Sequence, residues 1–320
     1  MSAHASAPAP TGSEVQTPLV SVVIPTRGRP ALLAETLATI TRQDYAGPLE
    51  IIVVHDREEV DPALVHLSLP GRKIVSMVNT RTGGLCGARN SGLIASHGEF
   101  VASCDDDDLW YPAKVRLQVE RLRADPELLA VGAGIRLLMG DRGNVEWQAR
   151  QPVVSHERLL VNRVKELHSS TLMMRRTAFD DAGLYDEDLP YSYAEDYDWL
   201  LRATSVGSVG AVGEILADIR KDVPSWFRGR LLNTATALEY LLDKHPDFRT
   251  RRRGHARILG QIAYARASAG ERRRGARIAG RALLRNPVAP HAWMALAVAG
   301  PGVDPRRMLS AARRLGRGLS

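Results

Sequence analysis

The 320-residue chain is long enough for two domains, or for one large α/β domain with an appendage. Its 44% hydrophobic and 25% charged residues exclude a disordered, collagenous or coiled-coil chain, and its two cysteines, Cys86 and Cys104, exclude a disulfide scaffold and lack zinc-like spacing. The net charge of +7 hides a division: residues 249–320 hold 17 Arg against Glu271 and Asp304, for +15, so residues 1–248 carry −8 and the two parts are expected to meet different partners.

The first 18 residues, rich in Ala, Ser and Pro, have neither the basic start nor the apolar run of a signal peptide and are expected to be a disordered lead-in. LVSVVI (19–24) predicts a strand, ended by the turn-forming PTRGRP and followed by a helix with Pro30 near its start and Leu33, Leu37 and Ile40 at helical spacing. EIIVV (50–54), running into His55 and Asp56, and KIVSMV (73–78) predict two more strands. TRTGG then leads into a helix over about 85–96, and EFVASC (99–104) ends in four consecutive aspartates. Strands alternating with helices predict a parallel, doubly wound sheet, whose ligands bind where the strands' carboxyl ends open.

Beyond Pro112 the pattern predicts a helix to about Arg123, a strand within 128–139, a hairpin at Gly143 and Asn144, and a strand at STLMMR (170–175). A helix over 193–203 carries acids in its first turn, where the helix dipole favours them. From about Ser225 the pattern is only helical, with a turn at Gly270, a stop at Pro287 and a weak likeness to one tetratricopeptide helix pair. The apolar stretch 292–299 is less than half of the roughly 20 residues a membrane helix needs. The expected organisation is a lead-in (1–18), an α/β domain (19–224) and a basic helical region (225–320).

Asp105, Asp106, Asp107 and Asp108 are the sharpest chemical signal. Four adjacent carboxylates repel one another unless a cation or hydrogen-bond donors neutralise them, and hard oxygen ligands at a strand end suit Mg²⁺ or Mn²⁺ shared with a nucleotide's phosphates. The alternative is a solvated acidic loop. Pro25, Thr26 and Arg27 follow the first strand, where a base or phosphate would lie, or where an ordinary turn would serve; Asp56 is equally open between a nucleotide contact and a turn cap. Gly83, Gly84 and Gly87 match neither the dinucleotide fingerprint nor the phosphate loop of kinases. Glu195 and Asp196, preceded by Tyr191 and Tyr193, form a second acidic pair, fit for a general base or for a helix N-terminus alone. His168 reads either as a structural histidine or as a phosphate or metal contact.

VSVVIPTRGRP, IIVVHD, GGLCGARNSG, FVASCDDDDLW and YAEDYDWLLR occur in the order and spacing of the family 2 glycosyltransferases, and over about residues 19–222 the chain resembles that family. The resemblance implies a GT-A-type doubly wound mixed sheet with helices on both faces, followed here by a small all-helical region. It implies that Pro25, Thr26, Arg27 and Asp56 hold the nucleotide base and that Arg89 belongs to the donor site. Asp105 would take the ribose side, with Asp106 and Asp108 in the same loop, and Asp107 with Asp105 would hold Mn²⁺ or Mg²⁺. Asp196, more than Glu195, would be the catalytic base. ADIRKD around Arg220 is similar to the family's closing segment, with Ile219 in place of its aromatic.

The implied reaction is an inverting in-line displacement, in which a sugar passes from a nucleoside-diphosphate sugar, most often a UDP-sugar, to an acceptor hydroxyl deprotonated by Asp196. The metal offsets charge on the leaving diphosphate, so no second carboxylic acid is needed. A nucleotidyltransferase and a non-catalytic nucleotide-sugar binder are the competing classes, and neither needs a base at Asp196. The acceptor is open among a lipid-linked sugar, a polysaccharide, a peptide and a small molecule. The Arg-rich region reads as a solvated face or as a surface for anionic lipid. Only Tyr264 and Trp293 supply aromatics after Arg249, which disfavours nucleic acid. A cytoplasmic protein is the expected setting, peripheral at the inner face of the membrane where the anionic-lipid reading of the Arg-rich region holds.

Overall fold

The computed structural model describes residues 17–223, 230–300 and 303. The lead-in expected over 1–18 lies outside these save for its last two residues, as do the expected break at 224–225 and residues 304–320 of the basic tail.

The chain runs β1 (Val20–Thr26), α1 (Pro30–Thr41), β2 (Leu49–His55), β3 (Arg72–Val78), α2 (Leu85–Ala95), β4 (Phe100–Ser103), β5 (Leu109–Trp110) and α3 (Lys114–Ala124). It continues through β6 (Leu128–Leu138), β7 (Val145–Trp147), β8 (Val153–Val154), α4 (His156–Val161), β9 (Met173–Arg175), α5 (Ala178–Ala182), α6 (Glu195–Val206) and β10 (Ser208–Arg220). Four helices follow: α7 (Leu231–Lys244), α8 (Arg252–Ser268), α9 (Arg272–Leu283) and α10 (Pro290–Ala299).

The strands form one sheet in the order β3-β2-β1-β4-β9-β6-β10-β5, with β7 beside β6 and β8 beside β10. β3, β2, β1 and β4 are parallel, β9 enters antiparallel between β4 and β6, and β6 and β10 run parallel to each other. Every residue of β1 and β2 is buried, as strands covered on both faces must be, which is why their sequences are mainly apolar and do not alternate; the polar Ser21 and Glu50 among them bond to each other at 2.8 Å.

One apolar cluster covers the sheet face that carries Val20, Val22 and Ile24, where Leu33 and Leu37 of α1 and Val115 and Val119 of α3 pack. The cluster on the other face runs without a break from Val23, Ile52 and Val54 through Trp199 and Leu200 of α6 to Phe248, Ile258 and Ala292 of the C-terminal helices. The basic helical region therefore shares its core with the sheet domain.

Two expected elements differ in detail. STLMMR yields a strand only from Met173, because Ser169–Thr171 form a 3₁₀ turn. Their hydroxyls bond to Asp105, Asp108 and the carbonyl of Glu166, and such side-chain bonds compete with a strand ladder. The helix expected from Tyr193 begins at Glu195, after Tyr191, Ser192 and Ala194 adopt left-handed φ values of 60°, 51° and 67°.

The helical region docks closely: a Cβ on Gly254 of α8 would lie 1.9 Å from the carbonyl oxygen of Leu160 in α4, whereas one on Gly280 of α9 would meet nothing within 4 Å. Gly254→Ala is expected to cost about 1–3 kcal/mol through overpacking. Gly280→Ala is expected to add about 0.5–1 kcal/mol through helix propensity. Thermal melts of the two variants should move in opposite directions, and a neutral Gly254→Ala would remove the close contact.

Candidate active site

In the parallel registers Thr26 of β1 lies opposite His55 of β2, and Val23 opposite Ser103 of β4, so all three strands end at one edge of the sheet. β9 runs the other way, which brings the residues before it, His168–Thr171, to the same edge. The loop after β1, Asp56 after β2, Asp105–Asp108 after β4 and the turn before β9 therefore face one cleft.

The four aspartates alternate. The side chains of Asp105 and Asp107 are 29% and 16% exposed, those of Asp106 and Asp108 8% and 2%. Asp106 accepts from Thr26 Oγ1 at 2.8 Å and Arg29 Nη1 at 3.2 Å. Asp108 accepts from Ser170 Oγ at 2.5 Å and the Arg220 backbone N–H at 3.0 Å. Burial lifts Asp106 to about 6 and Asp108 well above the carboxylate range. Asp107 accepts from Arg29 Nη1 at 2.9 Å and is raised by burial and by the charge of Asp105. Asp105 accepts from Ser169 Oγ at 3.1 Å and Arg89 Nη2 at 2.5 Å; burial opposes its ionisation, but Arg89 prevails and its pKa is lowered. Ligand atoms of Asp105, Asp108 and His168 lie within 4.8 Å of one another, a second grouping of cation donors beside the open Asp105 and Asp107.

Arg89, sealed in α2 at 1% exposure, donates to Asp105 and to Glu195 and lies over the Tyr185 ring. The two acidic clusters, about 90 residues apart in the sequence, are thus one site. Burial lifts Glu195 to about 7 in spite of Arg89. Its neighbour Asp196 has the opposite balance: burial is outweighed by Arg163, whose Nη2 donates to both carboxylate oxygens at 2.7 and 2.9 Å, so its pKa is lowered.

Thr26 and Pro25 end the buried β1, and Arg27 is partly exposed just after it. Asp56 accepts from Asn79 Nδ2 and the Gly84 N–H, both at 2.9 Å, which ties the end of β2 to the glycine loop before α2. Arg220 places its backbone on Asp108 while its guanidinium pairs with Glu35. Arg163 and Glu187, which binds Asn90 Nδ2 at 2.7 Å and the Thr82 N–H at 3.2 Å, lie outside every motif, and Arg29 lies within VSVVIPTRGRP without being singled out there. Only the PTRGRP turn carrying Arg29 gave a local signal.

The family model for glycosyl transferase family 2 matches residues 21–183. The chain belongs to this family. An uncharacterised glycosyltransferase of Rickettsia typhi is 30% identical over 209 residues, 64% of this chain and 64% of that protein, so the chain spans slightly less than two thirds of the relative's length. Among solved structures, S. aureus TarS (residues 1–349) in complex with UDP-GlcNAc matches with a TM-score of 0.55 and 18% identity, covering 94% of this chain and 93% of that one. The mannosyltransferase PcManGT of Pyrobaculum calidifontis, in complex with GDP-Man and Mn²⁺, matches with a TM-score of 0.53 and 19% identity, covering 94% and 81%. These likenesses establish a GT-A-type fold, and the family model establishes membership of glycosyl transferase family 2.

In this family 2 glycosyltransferase the first turn of α6 is anchored by more than Arg89 and Arg163. Asp198, fully buried, accepts from Arg202 Nε at 3.0 Å, Lys244 Nζ at 3.0 Å and, with a protonated or Nε2-H tautomer, His245 at 2.8 Å. Burial would raise its pKa, but His245, Arg202 and Lys244 hold it down to about 2. A depressed carboxyl contributes stability that is present above its unfolded value near 4 and lost as the pH falls through about 2. Asp198→Asn is expected to cost on the order of 2 kcal/mol at pH 7 and to flatten the loss of stability between pH 4 and 2. Denaturant melts at both ends of that window check this, and an unchanged acid slope in the variant would count against it.

Proposed function

We propose that the enzyme moves a sugar from a nucleoside-diphosphate sugar, a UDP-sugar by preference, to an acceptor hydroxyl with inversion, and that Asp196 is the general base. The observation that carries this reading is the Arg89 bridge, which sets the aspartate loop and the Glu195–Asp196 pair into one cleft. A nucleotidyltransferase or a passive binder would leave that juxtaposition without a use. TarS is described with UDP-GlcNAc and PcManGT with GDP-Man, which supports a nucleotide-sugar donor.

Pro25, Thr26, Arg27 and Asp56 would receive the base and Asp105 the ribose side. Asp106 is spent on Thr26 and Arg29 and keeps the loop in shape. The alternation of the loop supports Asp105 and Asp107 as the residues that would hold Mn²⁺ or Mg²⁺, since they are the two open carboxylates. A bound ion supplies Lewis-acid stabilisation of the departing diphosphate. Arg163 keeps Asp196 ionised in the resting site, as a base must be, and an arriving hydroxyl has to displace one of its two contacts to be deprotonated. Glu195, held by Arg89, positions the turn and takes no proton from the acceptor.

The test is a panel of nucleotide sugars with Mn²⁺, reading released nucleoside diphosphate in the presence of candidate acceptors. Asp196→Asn should slow transfer by about 10²–10⁴ with donor affinity nearly intact, and Glu195→Gln should hurt less. Asp107→Asn should lose metal-dependent donor binding, whereas His168→Ala should lose it only if Asp105, Asp108 and His168 are the working donor set. Full activity in excess chelator would remove the metal, and a product with retained anomeric configuration would remove the single displacement.

A further inference from the structure

We propose that the corner between α9 and α10 is a docking surface for an anionic lipid bilayer. Residues 272–300 contain six arginines and no acid. Arg273, Arg277 and Arg281 recur every four residues, so they form one exposed stripe along α9, while Gly275, Ile278, Ala279 and Ala282 bury the opposite face. The stripe ends at an apolar tip. Leu284 is 77% exposed, Val288 79% and Trp293 55%, among the most exposed large apolar side chains of the described residues. The tip is a built feature: Trp293 Nε1 donates to the Pro287 carbonyl at 2.7 Å, Arg252 to the Leu284 carbonyl at 3.2 Å and Arg285 to the Arg281 carbonyl at 3.1 Å.

An apolar tip with an aromatic amphiphile, rimmed by cations, is complementary to acyl chains beneath anionic head groups. Nucleic acid would leave Leu284 and Val288 in water, and a second copy of the same face would set the arginine stripe against itself. No helix among the described residues is long and apolar enough to cross a membrane, so the contact is with the surface. The inference is independent of the sugar-transfer reading, since none of these residues lies in the cleft.

The experiment is flotation of the full chain with vesicles of phosphatidylcholine alone and with about one third phosphatidylserine. Binding is expected to the anionic vesicles and to weaken at high salt. Arg277→Glu with Arg281→Glu should lower the partition coefficient about tenfold or more. Leu284→Ser, Val288→Ser and Trp293→Ser together should lower it about tenfold, including at high salt. All variants keep the tail beyond residue 300, so the difference reports the corner alone, and a melting temperature within a few degrees of the parent's confirms the fold. Absence of binding by the full chain, or equal partition of folded variants and parent, overturns the proposal. So does loss of oligonucleotide binding or of self-association in the variants with vesicle binding unchanged.

Discussion

A guanidinium sealed from water between two carboxylates is what the cleft depends on. Arg89 must sit where it does because Asp105 and Glu195 would otherwise repel each other, and the buried Glu195 would carry a desolvation cost of several kcal/mol without an opposing charge. Burial alone would lower the arginine's pKa, and the two acids reverse that, holding it well above the ordinary value. The local sequence makes the position reachable. Gly92, one turn further along α2, has no side chain because a Cβ there would come within 2.4 Å of Val23 on β1, so the helix lies against the sheet closely enough for Arg89 to span both clusters. The small residues of GARNSG are therefore packing residues whose consequence is electrostatic.

The aspartate run follows the same logic. The loop is a tight turn closed from the Asp108 N–H to the Asp105 carbonyl, and in it Asp106 and Asp108 face inward to Thr26, Arg29 and Ser170 while Asp105 and Asp107 are the more exposed pair. Burial raises Asp106, Asp107 and Asp108, and proton uptake by these lowers the mutual repulsion of the loop, while Arg89 holds Asp105 ionised. A chain of four identical residues cannot display this division in its sequence, because each position is written with the same letter.

That contrast describes what was legible in general. Strands buried on both faces announce themselves as apolar runs, and the cleft at their carboxyl ends follows from the parallel order, so β1, β2, β4 and the residues after them were readable from spacing. The resemblance added roles to those positions. What stayed hidden was contact across long separations: Arg163 reaches Asp196 from 33 positions upstream, and Glu187 reaches Thr82 from 105 away. The left-handed residues before α6 were hidden for another reason. Tyr191, Ser192 and Ala194 are not glycine or asparagine, so nothing in their types signals a positive φ. Their conformations cost of order 1 kcal/mol each and persist because the bonds of the next turn hold them.

Those bonds also explain how three buried acids share one helical turn. Glu195, Asp196 and Asp198 gain from the N-terminal dipole of α6 at most about 1–2 kcal/mol each, less than the several kcal/mol that burial of a carboxylate costs. The dipole therefore cannot hold them there alone. Separate donors complete the balance: Arg89 from α2 for Glu195, Arg163 from the segment after α4 for Asp196, and Lys244 and His245 at the end of α7, with Arg202 of α6 itself, for Asp198. Tyr197 between them donates to the Leu159 carbonyl at 2.5 Å and accepts from Arg257 of α8 at 2.8 Å. The turn that presents Asp196 is thus fixed from α2, α4, α7 and α8 at once, and the helical region beyond the sheet is part of what positions the acid pair.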